Sequence, residues 1–129
     1  MSQPGRVLIV DDSRIFRAAL ERALAGQEDI LVAGSVFNGV KALEFIRSSP
    51  PDVVTLDVEM PGMDGFEFVA RTRSDPALKE IPAILVTSRA SPEDRLRGLQ
   101  AGARAYITKG EFDQAFLLRT IRELSGQRP

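Results

Sequence analysis

Three aspartates, a threonine and a lysine stand at the ends of short apolar runs in this chain. Asp11 and Asp12 follow Val7–Val10, Asp57 follows "VVTL", Thr87 closes "AILVT", and Lys109 comes directly after "RAYIT". Singly, each has an ordinary explanation. Asp12 or Ser13 suits the cap of a following helix, Thr87 suits a strand, and Lys109 suits a solvated surface. Brought to one place, they fit a chemistry that none explains alone. Converging carboxylates repel one another and resist full ionisation unless a divalent cation neutralises them. The chain has no cysteine and no histidine, so that cation must be a hard one held by oxygen, and Mg2+ (or Mn2+) is expected. Asp57 is then placed to attack phosphorus and form an acyl phosphate. The cation and Lys109 would offset charge on the transferring oxygens, and Thr87 would supply a hydroxyl. No other carboxylate is expected to face both cation and lysine.

Such a site needs elements that bring these residues to one edge. The runs "RVLIV", "ILVAGSV", "DVVTLD", "AILVT" and "RAYIT" read as strands, the first buried on both faces. Each is followed by a helical pattern: "SRIFRAALERAL", "GVKALEFIRS", "DGFEFVARTR", "PEDRLRGLQA" and "DQAFLLRTIREL". Strand-then-helix repeats imply an α/β fold, a doubly wound parallel sheet with helices on both faces. Asn38-Gly39 and Ser91-Pro92 are expected to open helices, and Gly26 and Gly102 to follow helix ends. In such sheets ligands bind beyond the carboxyl ends of the strands, where the strand order reverses. All the chemistry-bearing residues fall on that edge.

The chain has 129 residues, 43% of them hydrophobic, enough for one core, so residues 1–129 are expected to form a single domain. Its core spans about residues 6–125, with loose tails "MSQPG" and "SGQRP". Lys and Arg number 17 against 18 Asp and Glu, a formal charge of -1 that gives no reason to expect nucleic acid or an anionic membrane as partner. No apolar run reaches membrane-span length and the first residues lack a signal-peptide core, so a cytoplasmic location is expected. "GSVFNGVK" misses a phosphate-binding loop, because Val40 separates Gly39 from Lys41. Aspartyl-nucleophile phosphohydrolases also combine a strand-end Asp, an acid two residues on, a Thr or Ser and a Lys. Those enzymes carry the nucleophile on their first strand and add a cap, which this chain order does not fit.

The segments "LIVDDS", "VVTLDVEMPGMDG", "AILVTS" and "GARAYITKG" resemble the motifs of the receiver domain of bacterial two-component response regulators, the CheY-like family. The resemblance implies a five-stranded sheet in the order 2-1-3-4-5, the flavodoxin-like arrangement, with five helices. It implies Asp57 as phospho-acceptor, Asp12 as a direct metal ligand, Asp11 as a ligand through water and the Glu59 backbone carbonyl as a further ligand. Thr87 and Lys109 become phosphoryl contacts, and Tyr106 an aromatic switch. The donor would be a phosphohistidine kinase, since this chain has no histidine of its own. The readout face would be helix four, strand five and helix five, binding a downstream target as a monomer or a phosphorylation-dependent dimer. The domain would catalyse its own phosphorylation and dephosphorylation yet act as a switch, not a metabolic enzyme.

Finer features extend this reading. "PDVVTLDVEMPGMDG" resembles the receiver part of chemotaxis methylesterases and "KGEFDQAFLLRTIREL" receiver modules of hybrid chemotaxis kinases, which points to a chemosensory pathway and a chemotaxis-type kinase. No effector sequence follows residue 125, so output is expected through protein contacts or from a longer protein. The family usually has proline after the lysine, often with a cis bond. Here Gly110 stands there, and a cis bond without proline costs about 3 kcal/mol, so a trans bond is expected. Tyr106 is expected to fill space vacated by Thr87 as that hydroxyl turns to the phosphoryl group. Leu96, Leu99, Phe112 and Phe116 are candidates for the readout face, with core packing the favoured reading for the two phenylalanines. Glu59 and Arg89 are expected on opposite rims of the crevice, paired so as to slow water's approach to phosphorus.

Overall fold

The structure is a computed structural model in which residues 3–126 are described. Strands and helices alternate along them: β1 (Gly5–Val10), α1 (Arg14–Leu24), β2 (Ile30–Val36), α2 (Gly39–Ser48), β3 (Val53–Leu56), α3 (Gly65–Arg73), β4 (Ala83–Thr87), α4 (Pro92–Ala101), β5 (Ala105–Thr108) and α5 (Gln114–Leu124). A short 3-10 turn, Lys109–Glu111, separates β5 from α5 and was not expected from the sequence. The strands are parallel in the order β2-β1-β3-β4-β5, the flavodoxin-like order that was expected. Of the expected tails, residues 1, 2 and 127–129 lie outside the described residues. Gly5 is already part of β1, its N–H donating to the Asp29 carbonyl at 2.8 Å.

β1 shows why its apolar run is unbroken. Val7 and Ile9 face α1 and α5, packing with Leu20, Leu24, Leu117 and Ile121. Leu8 and Val10 face the opposite side, with Ile46 of α2 and Phe66, Phe68 and Val69 of α3. A central strand covered on both faces has no side left for polar residues, and each such side chain contributes roughly 1.5–3 kcal/mol on burial.

The helices begin at the edge where the strands end, and their caps fix that edge. Ser13 Oγ accepts the Phe16 N–H at 3.2 Å, Asn38 the Lys41 N–H at 2.8 Å and Asp64 the Glu67 N–H at 2.8 Å. Ser91 caps α4 ahead of Pro92, and Asp113 caps α5. Because Ser13 takes the cap of α1, Asp12 is released from that role. Gly26 and Gly102 follow helix ends with φ of 81° and 121°, a region that favours glycine. Every peptide among the described residues is trans, Lys109–Gly110 included. None of the described helices is long and apolar enough to cross a membrane.

Candidate functional site

Strand order reverses between β1 and β3, and the acidic residues lie at that crevice. Val10 pairs with Leu56, and the Asp57 N–H donates to the Val10 carbonyl at 3.1 Å, which sets Asp11 and Asp57 side by side. Asp11, Asp12 and Asp57 offer carboxylate oxygens within 4.8 Å of one another. Asp11 and Asp57 are buried, at 1% and 5% exposure, whereas Asp12 is exposed. Lys109 closes the group, with Nζ 2.9 Å from Asp11 Oδ2 and 3.1 Å from Asp57 Oδ2. Thr87 pairs with Thr108 across β4 and β5, so it ends its strand level with the residue before Lys109. Thr87 is fully buried, and its Oγ1 accepts the Arg89 N–H at 3.3 Å.

The carboxylates are held by backbone on one oxygen and face the ammonium with the other. Asp11 Oδ1 accepts the Ser13 N–H at 2.8 Å and Asp57 Oδ1 the Glu59 N–H at 3.2 Å. Burial holds the Asp11 carboxyl above the usual carboxylate range, partly offset by the Ser13 N–H and by Lys109. For Lys109, burial pulls downward but is outweighed by the Asp11 hydrogen bond and the charges of Asp57 and Asp11, so its ammonium sits above the ordinary lysine value. The donor set is all oxygen and carries three carboxylates, which fits a hard divalent cation. A cleft of about 410 Å³ adjoins it, bounded by Asp12, Glu59, Met60, Asp64 and Arg89. One expectation is corrected here. Asp57 is not alone in facing the lysine, because Asp11 lies nearer to Nζ.

The turn after Asp57 is fixed by a close approach of backbone to backbone. The Gly65 N–H donates to the Val58 carbonyl at 2.9 Å, and a Cβ on Gly65 would lie 2.6 Å from the Asp57 carbonyl oxygen and 2.8 Å from Val58 Cα. Gly65→Ala is therefore expected to push the start of α3 away from the end of β3, costing about 1–3 kcal/mol. Urea unfolding and the rate of phosphoryl uptake should both register it. An alanine variant equal to wild type in both would show that the contact is slack.

The expected rim pair forms, but it is shared. Arg89 Nε lies 4.0 Å from Glu59 Oε2, while Arg89 Nη1 is closer, at 3.3 Å, to Asp94 Oδ1 of α4. Ser88 Oγ donates to Glu59 Oε1 at 2.9 Å, so Glu59 is tied to the end of β4 twice. Tyr106 is buried with its hydroxyl donating to the Arg89 carbonyl at 2.8 Å, and burial raises its phenol above the ordinary value. The ring therefore lies inward in this structure. Gly98 of α4 makes this fit, since a Cβ there would meet Leu85 Cδ1 at 2.7 Å and the Tyr106 ring at 2.9 Å. Leu96 and Leu99 are exposed on α4 as anticipated. Phe112 packs against the α1/α5 core, but Phe116 is 41% exposed, which corrects the core reading for that residue.

Sequence reasoning missed several neighbours of the site. Arg17 Nη1 holds the Asp11 carbonyl at 2.6 Å, Arg95 Nη1 holds the Tyr106 carbonyl at 3.0 Å, and the Phe16 ring lies beneath Lys109 Nζ. Arg17 and Phe16 were within reach of a helical reading, because both fall in the first two turns after the acid pair.

The family model of the response regulator receiver domain matches residues 7–122. The chain is 42% identical over 123 residues to a gliding motility regulatory protein of Myxococcus xanthus, covering 93% of this chain and 15% of that protein. It is 44% identical over 125 residues to protein-glutamate methylesterase/protein-glutamine glutaminase 2 of Burkholderia thailandensis, covering 92% of this chain and 34% of that protein. Among solved structures, the signal receiver domain of NarL from Mycobacterium tuberculosis matches with a TM-score of 0.89 at 31% identity, covering 98% of this chain and all of that one. The chain thus spans about a third or less of the length of these two curated relatives.

Proposed function

The chain belongs to the response regulator receiver domain family, and we propose that it is a phosphorylation-dependent switch whose acceptor is Asp57. The observation that carries this reading is the buried Asp57 carboxylate at the mouth of β3, flanked by two more aspartates and 3.1 Å from the Lys109 ammonium. Asp57 attacks the phosphorus of a phosphohistidine on a partner kinase; the bond from phosphorus to the histidine nitrogen breaks as the acyl phosphate forms. Lys109 carries positive charge toward the transferred oxygens, and the Thr87 hydroxyl reaches them from β4. Asp11, Asp12, Asp57 and the Glu59 backbone carbonyl would hold Mg2+ or Mn2+. When bound, the ion supplies charge that offsets the carboxylates and the phosphoryl oxygens. Dephosphorylation is the attack of water on the same phosphorus, so the domain turns itself off. The test is incubation with acetyl phosphate followed by intact-mass measurement: one phosphoryl group is expected with magnesium and none with a chelator. Uptake that ignores the cation would overturn the metal's place in the reaction.

The signal leaves through Thr87 and Tyr106. A Thr87 hydroxyl engaged by the phosphoryl group favours the inward ring and tightens the α4–β5–α5 face, a shift in population between existing states. Leu96, Leu99 and Phe116 lie exposed there for a downstream protein. Tyr106 is the only tyrosine and the chain has no tryptophan, so intrinsic fluorescence reports this ring alone. Phosphorylation is expected to change that emission in wild type, whereas Thr87→Ala should take up phosphate with its emission unaltered. An equal change in both would remove Thr87 from the route. The likeness to a methylesterase receiver supports a chemosensory pathway, with a chemotaxis-type kinase as donor in the cytoplasm. A monomer, or a dimer formed on phosphorylation, serves equally as the output form.

Glu59 and Arg89 set the lifetime of the phosphorylated state. Exposed ion pairs are worth only ~0–1 kcal/mol, so their part is to crowd the line along which water approaches phosphorus. Glu59→Ala and Arg89→Ala are each expected to speed loss of phosphate by roughly two- to fivefold, as expected for removing an interaction of that size. The double variant should fall short of the product of the two. Fully independent effects, or none, measured at fixed magnesium, would show that the pair does not gate.

A further inference from the structure

Lys109 is held from three sides, and one of them is an aromatic ring that the reaction above does not use. Its Nζ approaches Asp11 at 2.9 Å and Asp57 at 3.1 Å, and it also lies 4.3 Å from the centroid of the Phe16 ring. An ammonium has three N–H donors and no acceptor. The two carboxylates take its charge toward the crevice, and the negative π face of Phe16 receives it on the α1 side.

The ring is itself braced. Phe112 meets Phe16 edge-on, with centroids 6.2 Å apart and planes at 83°, a favourable aromatic geometry. Phe112 ends the 3-10 turn that begins at Lys109. Within that turn Gly110 offers no side-chain anchor, and nothing lies within 4 Å of where its Cβ would be. The aromatic pair is thus what ties this turn to α1, and it ties the backbone and the ammonium of Lys109 to the same ring.

We infer that Phe16 is a positioning residue for phosphoryl transfer, holding the Lys109 ammonium at the crevice by its π face with Phe112 as brace. The inference rests on Asp57 being the acceptor. Asp11 and Asp57 are the carboxylates that a cation and a phosphoryl group also call upon, so their hold on the ammonium weakens when the site is engaged. Attraction to the ring does not depend on those oxygens. Phe16 therefore keeps the ammonium in place at the step where its charge is needed.

The test compares Phe16→Leu and Phe16→Met, which keep apolar bulk without a π face, with Phe16→Tyr, which keeps the face. Uptake from acetyl phosphate at saturating magnesium is expected to slow by about three- to tenfold in the leucine and methionine variants, and by less than about twofold in the tyrosine variant. A second readout needs neither cation nor turnover. In wild type and Phe16→Tyr the Lys109 Cε proton signals should be displaced upfield by the ring, and in Phe16→Leu and Phe16→Met they should return toward ordinary lysine positions. Equal slowing in all three variants would show a packing role only and overturn the inference. So would wild-type rates throughout, or Lys109 signals that do not respond to loss of the ring. A wild type that accepts no phosphoryl group overturns the acceptor reading and this inference together, whereas normal uptake with indifferent Phe16 variants overturns the inference alone.

Discussion

Asp57→Ala is expected to accept no phosphoryl group under conditions in which wild type accepts one. The reason is positional. Asp57 stands at the end of the strand next to β1 in the sheet, its backbone N–H held by Val10 and one carboxylate oxygen held by the Glu59 N–H, so the other oxygen is presented to the crevice. Asp12 is exposed and flanks the cleft, and Glu59 points to the rim where Ser88 and Arg89 hold it. The serious rival is Asp11, which lies nearer the lysine than Asp57 does. Its side chain is the more deeply buried of the two, at 1% exposure against 5% for Asp57, and its Oδ2 is the oxygen held closer by the ammonium, so it is less open to an incoming phosphodonor. Asp11→Ala should therefore still be labelled, more slowly, with weakened magnesium binding, and Asp12→Ala should weaken that binding further, as expected of a direct ligand. Labelling of Asp57→Ala at the wild-type rate would refute the assignment.

Lys109→Ala is expected to move two observables in opposite directions. Uptake should slow by roughly 10²-fold, the cost of deleting one preorganised charge or donor aimed at a developing anion. Cation affinity should rise, because the ammonium and a divalent ion draw on the same Asp11 and Asp57 oxygens. Stability carries the same logic. Without its lysine, the site leaves two buried carboxylates unpaired, at a cost of about 3 kcal/mol, and saturating magnesium should restore most of it. Urea unfolding with and without the cation measures the stability effect, and a magnesium-binding isotherm measures the affinity. Weaker magnesium binding in Lys109→Ala would mean that the ammonium cooperates with the cation and does not compete.

Most of the fold was legible because each element carried its own signal. β1 is an unbroken apolar run since it is covered on both faces, and the Ser13, Asn38, Asp64 and Ser91 caps stand one residue before their helices. The 3-10 turn was not legible: Lys109, Gly110 and Glu111 have no periodicity, and the turn is held by side chains, with Phe112 meeting a ring in α1 and Glu111 accepting the Thr108 hydroxyl at 2.6 Å. The acidic cluster was legible from the rule that strand ends meet at the switch point. Side-chain choices made across the sheet were not. Nothing local to Tyr106 tells that Gly98 leaves room for its ring, and nothing near Lys109 tells that Asp11 competes for it. Phe116 misled because the apolar stripe of α5 is wider than the face it buries, with Leu117, Leu118 and Ile121 filling the core without it.

A covalent acyl phosphate on Asp57 can be trapped where it forms. Wild-type protein phosphorylated with acetyl phosphate and magnesium, reduced with borohydride and digested, should carry the reduced residue, homoserine, at position 57 and nowhere else. Homoserine at position 11 or 12, or a phosphoryl group on a serine or threonine that survives borohydride, would contradict the account.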